Sequence, residues 1–319
     1  MGTGCDRRVL FIVKASAPGK IILFGEHAVV YGRPALAVPV TQVHADVEVL
    51  DSSRAGIWID APDINVHAEL NTLPSDHPIA SVIHNFLFLW HVSPFPNLEI
   101  NITSTIPVAS GLGSGAAVTV ALVRALSVHL DHFITDEEVN ASAYEIEKLH
   151  HGTPSGIDNT VVTYARPVYF IKGQPVEIIK VGQPFTIVIG DTGISAPTKE
   201  SVADVRRLWM NDKARWETVF DKIGEIAFSA RRAIEAGKSE MLGELMDENH
   251  ALLQTMTVSS KELDRLVEAA RDAGATGAKL SGGGRGGNMI ALVQSELAES
   301  VSLSLKEAGA RNTIITKVS

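Results

Sequence analysis

Residues 107–117 read Pro-Val-Ala-Ser-Gly-Leu-Gly-Ser-Gly-Ala-Ala, and what stands on either side of them decides the fold. Upstream, Leu98–Ile106 alternates apolar Leu98, Ile100 and Ile102 with polar Glu99, Asn101 and Thr103, the pattern of a strand with one wet face. Downstream, Ala116–His129 is rich in Ala, Leu and Val and reads as a helix. Between a strand and a helix, glycines let backbone amides turn inward toward an anion, and the helix N-terminus adds a partial positive charge. The stretch is therefore a candidate phosphate cradle built from Pro107, Ser110, Gly111, Leu112, Gly113, Ser114, Gly115 and Ala116. Taken alone, the glycines fit a turn that merely closes a corner equally well.

Two look-alikes fail on context. The string satisfies the G-x-G-x-x-A pattern of dinucleotide folds, and Asp131 falls twenty residues after Gly111. The preceding strand alternates rather than being apolar throughout, however, and no clear strand ends at Asp131. Gly237-Lys238-Ser239 resembles the end of a Walker A loop, but Arg232 stands where its first glycine is needed.

Working outward, strands are expected over Val9–Ala15, Ala35–Val40 and Val43–Leu50, with turns at Pro18-Gly19 and Tyr31–Pro34. Helical spacing of apolar residues marks Ile79–Trp90, with Asp76 as its cap, and another helix begins near Asp136, leading into a loop over His151–Asn159. A strand at Pro184–Gly190 follows. Helices then span Ala196–Leu208, Trp216–Ala236, Glu240–Gln254 and Ser260–Ala273, with strands at Met289–Val293 and Thr313–Val318. The chain divides near Gly182 into domains of residues 1–182 and 183–319.

The 319 residues carry a net charge of −9 and are 45% hydrophobic. That is ample material for a core, and no Lys/Arg stripe provides the local positive potential that nucleic acid or an anionic membrane requires. The one cysteine, Cys5, cannot form an internal disulfide, no signal-peptide pattern is visible, and the longest apolar stretches are far too short to cross a bilayer. These features point to a soluble globular protein of the reducing cytoplasm with a small ligand, and leave monomer and homodimer both open.

A second glycine loop runs over Lys279-Leu-Ser-Gly-Gly-Gly284-Arg285-Gly-Gly-Asn288. So many glycines cost chain entropy, which favours close approach to a ligand over mere flexibility. Glu26 and His27 interrupt the otherwise apolar Ile21–Val30, and Lys20 stands immediately before it. Glu147 lies eleven residues before Asp158, so one carboxylate at a helix end and one in a loop can face a shared magnesium ion. An Asx turn at Asp158 and a simple ion pair at Glu147 fit the spacing as well. The eleven histidines show no H-E-x-x-H or similar spacing, so zinc is not expected.

Taken together, Ala17–Gly32 (APGKIILFGEHAVVYG), PVASGLGSGAA and Lys279–Asn288 resemble, in sequence and order, the three motifs of the GHMP kinases. Within that superfamily, GEHAVVYG combined with HGTPSGIDN (His151–Asn159) is similar to the branch that acts on mevalonate, and the resemblance runs from about Lys14 to the C-terminus. It implies a two-domain α+β fold, the first domain related to ribosomal protein S5 domain 2 and the second ferredoxin-like, with the ligands between them. It implies MgATP and mevalonate as reactants and 5-phosphomevalonate as product, by in-line γ-phosphoryl transfer. Asp158 then matches the catalytic aspartate and Lys20 the lysine that favours the alkoxide. Glu147 matches the magnesium ligand; the second serine of the family's phosphate loop also serves that ion, and with Gly115 in its place here the resemblance leaves Ser114 or a water to substitute. Glu26, His27, Thr192 and Thr198 match the substrate side of the cleft.

The chain departs from the family pattern in two loops. Gly115 stands where a second serine is usual. In the third motif Arg285, after Gly284, replaces a glycine and Asn288 a cysteine. Arg285 is suited to a phosphate or a substrate carboxylate through its planar fork, and equally to solvent. Rival readings are a phosphomevalonate or sugar and polyol kinase of the same superfamily, and a non-catalytic ATP- or metabolite-binding regulator.

Overall fold

The first third of the chain folds on its longest apolar runs. In the computed structural model, which describes residues 12–107, 110–151, 154–195 and 198–319 and only the backbone of His150, His151 and Thr198, β1 (Ile12–Phe24) pairs antiparallel with β2 (Ala35–Asp51). Cys5, Val9–Phe11 of the expected first strand and Ala196 of an expected helix lie outside the described residues. The two strands expected at 35–40 and 43–50 are one strand. Pro18 pairs with His44 but Gly19 with Val40, so residues 41–43 bulge out of register, which bends the strand without ending it.

β3 (Ile57–Ala61) and β4 (Val66–Glu69) form a hairpin that buries Ile57, Ile59 and Ala61. In α1 (Pro78–Leu89) the expected cap is corrected: Pro78 occupies the first turn, where its missing N–H costs nothing, and His77 rather than Asp76 precedes it without a side-chain bond. β5 (Leu98–Ser104) behaves as its alternation requires, with Ile102 and Ile100 buried opposite Val47 and Val49 of β2. α2 (Ser114–His129) follows the glycine loop, then α3 (Asp136–His151) and α4 (Ile157–Tyr164). That last element corrects the loop expected to run to Asn159. β6 (Val168–Phe170) and β7 (Glu177–Ile178) complete a seven-stranded sheet in the order β4-β3-β5-β2-β6-β7, with β1 on β2. α2 lies across β1 and β2. Ala117, Ala121 and Ala125 are small enough to bring it close, and fully buried Val120, Leu122 and Leu126 fill the space around it, each such side chain stabilising the fold by about 2 kcal/mol.

β8 (Phe185–Asp191) begins the second sheet. α5 (Thr198–Asn211), α6 (Lys213–Glu235), α7 (Leu242–Thr255) and α8 (Lys261–Asp272) come between it and β9 (Gly277–Ser281). β10 (Asn288–Val293), α9 (Ala298–Glu307) and β11 (Asn312–Val318) close the chain. The antiparallel order β11-β8-β10-β9 is that of a ferredoxin-like unit, so the protein has the two-domain α+β architecture. The sheets change over between Ile178 and Phe185. One apolar core nevertheless runs through both, from Val49 and Leu126 to Ile187, Ile290 and Val318. Among the described residues no helix is long and apolar enough to cross a membrane.

Candidate active site

The glycine cradle and the first strand lock together. The Lys20 N–H donates to the Leu112 carbonyl at 2.9 Å, and the Lys20 stem lies against Gly113, where an added Cβ would come within 2.8 Å of Lys20 Cγ. Gly113 also has φ +79°, as does Gly111 at +83°, a conformation that side chains resist. Gly113 caps α2, which starts at Ser114, so the helix N-terminus opens at the loop. Ser110 is buried and donates to the Pro107 carbonyl at 2.8 Å; Leu112 and Ala116 are buried beneath. A Cβ on Gly115 would meet open space.

Chain folding brings Lys20 to Asp158, with Nζ 2.8 Å from Oδ2; the lysine side chain is 5% exposed and the carboxylate 32%. Asp158 is the second residue of α4, just past Gly156, whose φ is +91°, and a carboxylate is favoured in a helix's first turn. Glu147 comes in from α3. Burial, and then the negative charge of Asp158, push its carboxyl up to about 8 against the opposing pull of Lys20. Two carboxylates and one ammonium therefore lie together here, beside the N-termini of α2 and α4. The arrangement is short of positive charge. Glu147 in particular would be held ionised by a cation beside it, which is the observation that fits magnesium. Magnesium commonly takes one or two carboxylates and completes its shell from phosphate and water. Among the described residues no three His, Cys, Asp or Glu side chains gather into a metal cluster, as that mode of binding allows.

Glu26 and His27 turn the chain after β1 and anchor the second glycine loop. Glu26 bonds to Lys279 on β9, whose ammonium also donates to the Leu280 carbonyl at 2.6 Å. Glu26 and Lys279 are almost completely buried. Burial raises Glu26 and lowers Lys279, and the opposite charge of each resists the change in the other. His27 adopts φ +62° and donates from Nε2 to the Gly283 carbonyl at 3.1 Å, so its Nδ1, buried without a partner among the described residues, is an acceptor. Burial pushes His27 down to about 4.

The other expected site residues divide. Thr192 ties the second loop down from β8: its N–H and hydroxyl both donate to the Gly287 carbonyl, at 2.9 and 3.0 Å. Thr198 begins α5, and its side chain lies outside the described residues. Gly284 sits where a Cβ would come within 1.9 Å of the Val258 carbonyl, so no other residue fits. Arg285 pairs with Asp204 of α5 and donates to the Thr257 carbonyl at 3.3 Å, which directs its guanidinium to the protein rather than to the cradle.

Two positioning residues escaped the sequence reading. Asn288, buried, donates from its amide to the Ser110 carbonyl and so staples the second loop to the first. Lys279 was legible as the start of the loop, but not as the buried partner of Glu26. Its signal was a single lysine inside an apolar strand.

A glycine loop at a helix N-terminus, a Lys–Asp pair and a second carboxylate beside it are the groups a small-molecule kinase needs to place a phosphoryl donor and a hydroxyl acceptor. Family models for the GHMP kinases match the chain, the N-terminal domain over residues 79–166 and the C-terminal over 230–311. The chain is 38% identical to the mevalonate kinase of Pyrococcus abyssi, covering 97% of this chain and 96% of that protein, and 32% identical to that of Saccharolobus solfataricus, covering 96% and 97%. The crystal structure of L. major mevalonate kinase with R-mevalonate superposes with a TM-score of 0.84 at 31% identity, covering 98% of this chain and 97% of that one. The Methanococcus jannaschii mevalonate kinase gives a TM-score of 0.81 at 26% identity, with 98% of both chains covered. The chain belongs to the GHMP kinase family, and within it to the mevalonate kinases.

Proposed function

We propose that this enzyme transfers the γ-phosphoryl group of ATP to the 5-hydroxyl of mevalonate, in the cytoplasm and as a step of isoprenoid precursor synthesis. The Lys20–Asp158 pair, 2.8 Å apart beside the α2 N-terminus, carries this reading. Asp158 orients the attacking hydroxyl and accepts its proton. Lys20 lowers the energy of the developing alkoxide; a cation and an anion about 4 Å apart attract by about 4 kcal/mol at an effective dielectric of 20. The amides of Gly111–Gly115 and the start of α2 face the phosphates, and positioning and charge supply most of the rate.

Glu147 and Ser114 would hold magnesium, which when bound neutralises phosphate charge. Glu26 and His27 shape the substrate side, where His27 Nδ1 is a buried acceptor for a substrate hydroxyl. Few free cations stand beside Asp158 for an already phosphorylated substrate, because Arg285 is engaged with Asp204. That favours mevalonate over phosphomevalonate as the acceptor.

The test is Asp158→Asn, assayed by coupled ADP release over mevalonate, phosphomevalonate and galactose. The wild-type enzyme turns over mevalonate, and the variant loses about 10²- to 10⁴-fold in kcat while still binding ATP. A variant as fast as wild type, or a wild-type enzyme idle on mevalonate, would sink the proposal.

A further inference from the structure

Away from the cleft, a groove of about 710 Å3 opens where the two sheets meet. Its place follows from strand pairing. β1 runs along one edge of β2, so β6 and β5 share the other; β6 leaves that edge at Ala37 and β5 joins it at Ala45. Pro39 and Thr41 lie in the gap. They line the groove together with segments flanking β6 and β7 and the end of β11.

Three cations reach it from distant parts of the chain: Arg166 after α4, Lys180 after β7 and Lys317 on β11. None of the three side chains has an ion-pair or hydrogen-bond partner among the described residues. Other surface cations among the described residues, such as Lys222, Lys238 and Lys306, are unpaired too, so what marks these three is that they line one concavity, whereas Arg33, Arg124, Arg231, Arg271 and Arg285 are each tied to a carboxylate. The nearby Glu177 is already engaged with Arg231. Ser319, the last residue of this chain, adds one carboxylate to the same lining, which leaves an excess of positive charge that concave walls focus. Beside the cations lie apolar Pro39, Ile179 and Val318. Junctions between domains are frequent places for small-molecule sites.

We propose that this groove is a second ligand site, for a small organic anion whose phosphate or carboxylate meets Arg166, Lys180 and Lys317 and whose short apolar body lies against Ile179 and Pro39. The site stands close to the catalytic machinery, since Pro39 is the register partner of Lys20 across β1 and β2.

The test is calorimetric titration of n-butyl phosphate and of valerate into the full-length enzyme, with and without saturating MgADP, and into the R166Q/K180Q/K317Q variant. The three positions are exposed and outside the cleft, so the variant keeps its turnover. Saturable binding of either probe that survives MgADP, weakens with salt and falls at least tenfold in the variant is the expected result. The tighter probe identifies the head group. Binding abolished by MgADP, or equal in wild type and variant, or absent for both probes, overturns the proposal.

Discussion

Replacing Lys279 by Met tests whether the buried bond between the two domains is a coupled unit. Glu26 and Lys279 are 1% and 0% exposed, and they come from strands and turns 253 residues apart in sequence. Removing the lysine leaves a buried carboxyl without its cation, and its Oε2 has no side-chain partner among the described residues to take that place. Breaking such a pair from one side costs about 3–5 kcal/mol, whereas removing both charges together is often close to neutral. The per-residue unfolding entropy implies roughly 0.7 kcal/mol/K for a chain of this size, so about 4 kcal/mol corresponds to about 6 °C in Tm. Lys279→Met and Glu26→Gln should each lower Tm by about that much in differential scanning calorimetry. The double variant should recover most of the loss. Two single effects that simply add in the double variant, within about 0.5 kcal/mol, would refute the coupling.

Asn288→Ala leaves the Ser110 carbonyl buried without its donor, a cost of about 1–3 kcal/mol; steady-state kinetics should show KM for ATP rising about tenfold with kcat nearly unchanged, and an unaltered KM would rule out the staple. His27 and His250 are both held neutral, pushed down to about 4 chiefly by burial, while an unfolded chain protonates them near 6.5. Stability is therefore complete above about pH 6.5 and falls as the pH drops toward 4, by up to roughly 3 kcal/mol for each. Thermal melts of His250→Gln across that range should show a smaller acid loss than wild type, and an identical profile would remove His250 from the account. Gly115→Ser has open space for its side chain and gains helix propensity of about 0.5 kcal/mol; a magnesium titration of activity should show a lower half-saturating concentration, and no change would separate this position from the metal.

What the sequence made legible was local. β5 and α2 followed from alternation and composition because each buries the face its pattern dictates. The glycine loop before α2 followed from residues whose positive φ only glycine adopts freely. α4 was hidden because Thr153-Pro154-Ser155-Gly156 is turn chemistry, and the helix beyond it has only eight residues. The hairpin of β3 and β4 was missed because Pro62, Asp63 and Asn65 between its strands read as loop. In the site, Lys20 and Asp158 were visible as residue types within motifs. Their contact, like the Glu26–Lys279 and Asn288–Ser110 bonds, joins positions far apart in the chain, and no periodicity encodes such a pairing. Arg285 shows the converse: its chemistry suited an anion, and the anion it found is Asp204.

The segment near Gly182, where the sequence suggested a boundary, is fastened to the end of α6. The Gly182 N–H donates to the Ile234 carbonyl at 2.9 Å, and an added Cβ would strike the Glu235 carbonyl at 2.6 Å. Together with a core that passes from one sheet into the other, this makes the junction a weld rather than a hinge. A gene cut there would yield two fragments, each presenting to water the apolar face meant for its sibling, and neither would be a free-standing module. The halves are recombinable only as a matched set, so a graft of one from a relative must bring along the surface that the other was shaped to receive.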